Sequence, residues 1–266
     1  MMHSLLSGDR PRSYILTAML AAIFAALALA PFVFPGTRPL DVAAKVCVFV
    51  LLVASYDLLL GYTGIVSFAH TMFFGIGGYG IAIALSRLET GWSAIALGSV
   101  AAVVLSLVLS FLIGLFSLRV KAIFFAMITL AVASFFAILA SQLSNITGGE
   151  DGITFKVPEL LRPAFRLLDE PLLGVTVGGR FITYYLVFGA SLLLFLALLR
   201  VVNSPFGRVL LAIRENDFRA EALGYRTVIY RTIANCLGAV VATLAGVLYA
   251  LWLRYTGPNT TLDFGI

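Results

Sequence analysis

The residues of this chain that could do chemistry fall in two places. The first is Ser204–Gly224, SPFGRVLLAIRENDFRAEALG, which gathers Arg208, Arg214, Glu215, Asn216, Asp217, Arg219 and Glu221 before Gly224. Interspersed acids and bases of this kind suit either a helix resting on lipid headgroups or a docking element for a soluble partner. The second is His70, the one histidine inside an apolar stretch, which could relay a proton, contact a substrate or simply bond a neighbouring helix. Cys47 and Cys236 sit in apolar runs with no CxxC and no histidine at ligand spacing, so they read as small buried residues and no metal site is expected. The chain has no GxxxxGK(S/T), HExxH or GxSxG pattern. No catalytic residue and no cofactor of its own is therefore expected; if nucleotide energy is used, another chain binds the ATP.

The elements that must position these residues are hydrocarbon-rich. The 266 residues are 61% hydrophobic and 12% charged, about half the charge of an ordinary soluble domain. This composition excludes a soluble enzyme and predicts an all-α polytopic membrane protein. A bilayer core of about 30 Å needs roughly 20 apolar residues. Seven stretches meet or approach that length: Ile15–Phe34, Val42–Leu60, Ile65–Leu85, Ser93–Phe116, Ala122–Leu143, Ile182–Leu199 and Ile233–Leu253. Ala28-Leu29-Ala30 resembles a signal cleavage site, but Pro31 follows directly, so an uncleaved first span is expected.

Arginine sets the orientation. The segment 200–231 carries six arginines against Glu215, Asp217 and Glu221, whereas 144–181 carries five acids against four bases. Basic segments stay cytoplasmic, so 203–232 is expected inside and the 144–181 loop outside. Counting back places Arg119 and Lys121, and then Arg10 and Arg12, inside as well. The N-terminus is expected in the cytoplasm. The +5 net charge thus reads as a topology signal and not as a nucleic-acid surface. The same parity leaves Arg254–Ile266 outside.

Local signals refine the picture. Ser204 and Pro205 predict a helix start, with Phe206, Val209, Leu210 and Ile213 on one face and Arg208, Glu215 and Arg219 on the other. Asp217 falls within the apolar stripe, so a break is expected at 216–217, with Asp217 capping a second helix, Phe218–Leu223, that Gly224 stops. Gly61–Leu85 carries six glycines among Thr63, Ser67 and His70. It suits either close helix packing or an interrupted helix lining a cavity. Gly238, Ala242 and Gly246 form a small-residue packing face. No span holds an acid or base at its centre, which weighs against an ion-coupled carrier. The loop 144–181, with Pro158, Pro163 and Pro171, is long enough for a small external structure.

Five stretches together resemble the permease subunit of bacterial branched-chain amino acid ABC importers, the LivM-like kind: GYTGIVSFAHTMFFGIGGY (61–79), LRVKAIFFAMITL (118–130), NITGGEDGI (145–153), SPFGRVLLAIRENDFRAEALG (204–224) and YTGPNTTLDF (255–264). The resemblance runs from about residue 45 onward. It implies a single transmembrane domain over 1–266 of the type II importer kind, in the inner membrane. Its implied partners are a second permease subunit, two cytoplasmic ATPases and a periplasmic solute-binding protein. It also implies that Arg208, Arg214, Glu215, Asn216, Asp217, Arg219, Glu221 and Gly224 lie at or near the ATPase surface. Gly61, Thr63, Gly64, Ser67, His70, Gly75, Gly77, Gly78 and Tyr79 would line the translocation path. Branched-chain amino acids are the expected solute, with urea or amides, an ion-coupled carrier, or a non-conducting subunit as alternatives. Such permeases continue for at least two more hydrophobic helices, so a fragment or a shortened gene is expected.

Overall fold

The computed structural model describes residues 14–33, 36–88, 90–117, 122–166 and 178–261. The expectations for Arg10, Arg12, Arg119, Lys121, Pro171 and residues 262–266 lie outside them. Among the described residues, seven long helices follow in order: α1 (Tyr14–Val33), α2 (Thr37–Thr63), α3 (His70–Arg87), α4 (Trp92–Ser117), α5 (Ala122–Gln142), then, after a single turn α6 (Ser144–Thr147), α7 (Gly179–Val202), and finally α10 (Thr227–Leu253). Two short helices, α8 (Pro205–Glu215) and α9 (Asp217–Ala222), separate α7 from α10. Ile153–Thr154 (β1) and Tyr255–Thr256 (β2) pair antiparallel, and α11 (Pro258–Thr261) follows.

Among the described residues, five helices could cross a membrane by length and composition: α2, α4, α5, α7 and α10. α1 adds an apolar stretch, Thr17–Val33. The span expected over Ile65–Leu85 is shorter than its apolar run, because α3 starts only at His70. Gly64 ends α2 in a left-handed conformation (φ 72°), its N–H reaching the Leu59 carbonyl. Residues 64–69 then turn without helix. The Phe68 N–H finds the Thr129 hydroxyl at 3.1 Å and the Ala69 N–H finds the Ser67 hydroxyl at 3.3 Å. Those side chains satisfy backbone groups that hydrocarbon could not.

α10 is the centre of the bundle. Its span is 72% buried, against 17–44% for the other four. The small-residue face expected at 238–246 is why. A methyl group on Gly246 would lie 1.9 Å from the Phe74 carbonyl oxygen of α3, and one on Gly77 would lie 1.9 Å from the Thr243 carbonyl oxygen of α10. The two backbones therefore touch through reciprocal glycines. Gly80 and Gly98 allow the same approach between α3 and α4. For Gly77 and Gly80, close packing is what the structure shows. Polar bonds hold α4 to α10: Asn235 donates to the Ser110 hydroxyl (2.8 Å) and Thr243 to Ser106 (2.6 Å).

α1 shows how a proline is accommodated in a helix. Pro31 lacks the N–H that would bond the Leu27 carbonyl one turn earlier. The Tyr184 hydroxyl supplies that donor at 2.5 Å, and Tyr185 donates to the Ala28 carbonyl at 2.8 Å.

Contacts at the helix ends define two poles. At one, Arg180 pairs with Asp41 (2.7 Å) and lies over Trp252, Arg87 donates to the Asn145 carbonyl, and β1 pairs with β2. Burial, and then the nearby Arg180, lower the Arg254 guanidinium below its ordinary value there. At the other pole, α8 and α9 lie against the ends of α2 and α10. Successive long helices run alternately between these poles.

Candidate functional site

The expected break in the charged insert is present at Asn216, and the second helix, with its cap, starts one residue earlier than anticipated. Ser204 is extended and Pro205 opens α8, but the Ser204 hydroxyl caps nothing and instead donates back to the Val201 carbonyl at 2.5 Å. Gly207, Leu210 and Ile213 are buried, and Phe206 stacks on Tyr230 of α10 at 5.7 Å. Asn216, not Asp217, caps α9, its side-chain oxygen accepting the Arg219 N–H at 3.0 Å. An amide and a carboxylate cap equally well. Arg231 of α10 decides between them, because its guanidinium nitrogen donates to both Asp217 carboxylate oxygens at 2.7 Å. Glu221 accepts from the Thr227 hydroxyl at 2.7 Å. Gly224 (φ 90°) then turns the chain toward α10.

Two of the insert's three acids therefore bind it to this chain. Asp217 and Glu221 tie α9 to the start of α10. Arg214 reaches the Gly61 carbonyl at the end of α2. A methyl on Gly64 would sit 3.2 Å from the Arg214 side chain, so the left-handed glycine also clears a seat for it. Arg208, Glu215 and Arg219 face outward and make no side-chain bond among the described residues. Beside them stand Phe218 and Leu223, 86% and 74% exposed. The sequence reading missed these two. Their signal was available: apolar residues on the charged side of the second helix.

The nine residues expected along a path are not brought to one cavity. Gly61, Thr63 and Gly64 form the seat of α8, with the Thr63 hydroxyl bonded to the Leu59 carbonyl at 2.7 Å. Ser67 and His70 line a cavity of about 330 Å³ with Leu52, Val53, Tyr56 and Phe74. Gly75 and Tyr79 line a larger apolar cavity of about 490 Å³ between α3, α4 and α5, where the Tyr79 hydroxyl is buried without a partner. Gly77 packs on α10, and the Gly78 carbonyl accepts from Thr256 at 3.3 Å. Among the described residues no cluster of His, Cys, Asp and Glu could hold a metal ion.

The described residues thus form a helical membrane bundle with an amphipathic helix pair fixed to two of its spans. The family described as the permease component of the branched-chain amino acid transport system matches residues 38–266. The chain belongs to this family. Among similar permeases, the probable branched-chain amino acid transport permease protein LivM of Methanocaldococcus jannaschii is 29% identical over 203 residues, covering 71% of this chain and 54% of its own length. The high-affinity LivM permease proteins of Salmonella typhimurium and Escherichia coli are each 26% identical, over 83% of this chain and 54% of theirs. The chain thus spans about half the length of these permeases. No solved structure matches it significantly.

Proposed function

We propose that this chain is the membrane-spanning subunit of an ABC importer in the bacterial inner membrane, passing a small polar solute to the cytoplasm while a separate subunit hydrolyses ATP. Branched-chain amino acids are the solute, as the names of the similar permeases suggest. The observation that carries the reading is the α8–α9 pair. Its inner side is fixed to α2 by Arg214 and to α10 by Asp217 and Glu221. Its outer side presents Arg208, Glu215 and Arg219 around Phe218 and Leu223. Charged groups around exposed apolar anchors suit a protein interface better than a headgroup layer, where apolar residues would cluster on one face.

A force on α9 reaches α10 through the Arg231–Asp217 pair, and α10 passes it to α3 through the glycine contact. The partners are then two cytoplasmic ATPases on the α8–α9 side, a second permease subunit, and a periplasmic binding protein on the pole that carries residues 144–166. Glu215→Lys combined with Arg219→Glu reverses two outward charges without touching an internal bond. We expect normal membrane insertion and loss of copurification with the ATPase. Copurification at full yield would remove the docking role.

A further inference from the structure

We propose that the groove between α4 and α10, below Arg226, holds one anionic phospholipid, with an acyl chain along the groove and the phosphate against the arginine. The inference needs only that the chain lies in a bilayer, so it can fail while the importer reading holds, and the reverse. α4 and α10 run antiparallel and are joined along a polar seam. Asn235 bonds Ser110, Thr243 bonds Ser106, and a methyl on Gly114 would lie 2.7 Å from the Thr232 side chain. Beside the seam is a cavity of about 500 Å³, lined by Leu107, Phe111 and Leu115 of α4 and by Ile229, Ile233 and Leu237 of α10. Each set recurs every four residues and so forms one stripe along its helix. Leu107, Phe111, Ile229 and Ile233 are 38–51% exposed, so no described part of the chain covers the groove.

The wall says what the occupant is. Its one hydroxyl, on Thr232, is spent on the Val228 carbonyl at 2.8 Å, so below the mouth nothing awaits a polar ligand. From Arg226 to Val240, both on the wall, the groove runs about 21 Å at 1.5 Å per residue. That exceeds the roughly 15 Å of hydrocarbon in one leaflet, so an acyl chain fits along it. Only the mouth is charged. Arg226 is exposed and makes no side-chain bond among the described residues. The acids tied to this end of α10 are engaged, Asp217 by Arg231 and Glu221 by the Thr227 hydroxyl. α10 begins beside Arg226 without a side-chain cap, so its first N–H groups add partial positive charge. A cation at headgroup depth above an apolar groove between two spans matches a phosphodiester that carries an acyl chain. Phosphatidylglycerol offers its phosphate uncompensated, whereas phosphatidylethanolamine brings an ammonium to the arginine as well. The cavity at the other pole lacks this match: its Arg87 already donates to the Asn145 carbonyl, and Glu150 and Asp151 follow closely in the chain.

The test uses the full chain in vesicles of equimolar phosphatidylglycerol and phosphatidylethanolamine, extracted in mild detergent and analysed by native mass spectrometry. One phosphatidylglycerol per chain is expected to survive washing, at about five times the level of phosphatidylethanolamine, the discrimination that one arginine gives at a membrane surface. Arg226→Gln should bring the two lipids to equal retention. Ile233→Trp, and independently Leu107→Trp on the facing wall, should fill the groove and abolish retention, while Leu97→Trp in the other cavity should not. Glycerophosphoglycerol in large excess, a headgroup without acyl chains, should displace nothing. The proposal is overturned if no phosphatidylglycerol is retained, if retention ignores Arg226→Gln, if it survives both tryptophans, or if the free headgroup competes. A dimer without lipid that both tryptophans dissociate would put a second copy of the chain in the groove and overturn it too. Arg226→Gln alters only an exposed side chain, so it decides the matter even if a tryptophan variant fails to fold.

Discussion

Single residues in this protein do work that their types alone do not reveal. Tyr184 stands in for an amide proton. Pro31 removes the donor for the Leu27 carbonyl, and the phenol hydroxyl replaces it across a helix interface. Tyr184→Phe should lower stability by about 1 kcal/mol, within the range for bonds between membrane helices. In a Pro31→Ala background that cost should shrink, because residue 31 then has its own N–H. A double-mutant cycle on denaturation midpoints measures the difference. Gly77 has the opposite character, since its function is to be absent. Gly77→Ala would drive a methyl into the Thr243 carbonyl, and relief requires α3 and α10 to part. We expect loss of more than about 3 kcal/mol or no folded protein, overpacking against backbone being the severe case. Gly189→Ala is the control, because nothing lies within 4 Å of the added atom. It should be neutral or stabilise slightly, by up to about 1 kcal/mol.

At the scale of elements, the α8–α9 pair shows what a pattern can specify. The apolar stripe of α8 was readable from spacing, and so was the existence of a break. The cap fell on Asn216 and not Asp217 because Arg231 claims the carboxylate from another helix. No local rule contains that residue. The glycine-rich stretch left two readings open, packing and cavity, and both hold at different positions. Gly77 and Gly80 are contact points, while Gly75 stands at a cavity wall. Sequence could not divide them, because the neighbours that decide lie on α4 and α10.

At the scale of the molecule, arginine count and span parity assign 203–232 to the cytoplasm and 144–181 to the outside, and the described parts of these segments lie at opposite ends of the bundle. Thiol labelling checks the absolute sense. With Cys47 and Cys236 changed to Ser, Arg219→Cys should react with an impermeant maleimide only in inside-out vesicles. Glu159→Cys should react from outside intact cells. The reverse pattern would invert the orientation and end the importer reading with it.

Hydrophobic length and the motif at 204–224 gave class and kinship before any coordinates, because bilayer thickness acts on each segment separately. Which glycine touches which carbonyl, which acid holds which arginine, and that a groove opens between α4 and α10 below Arg226 were decided only by tertiary structure. Those facts depend on pairs of residues far apart in the chain, and hydrocarbon leaves an unpaired polar group nowhere else to turn.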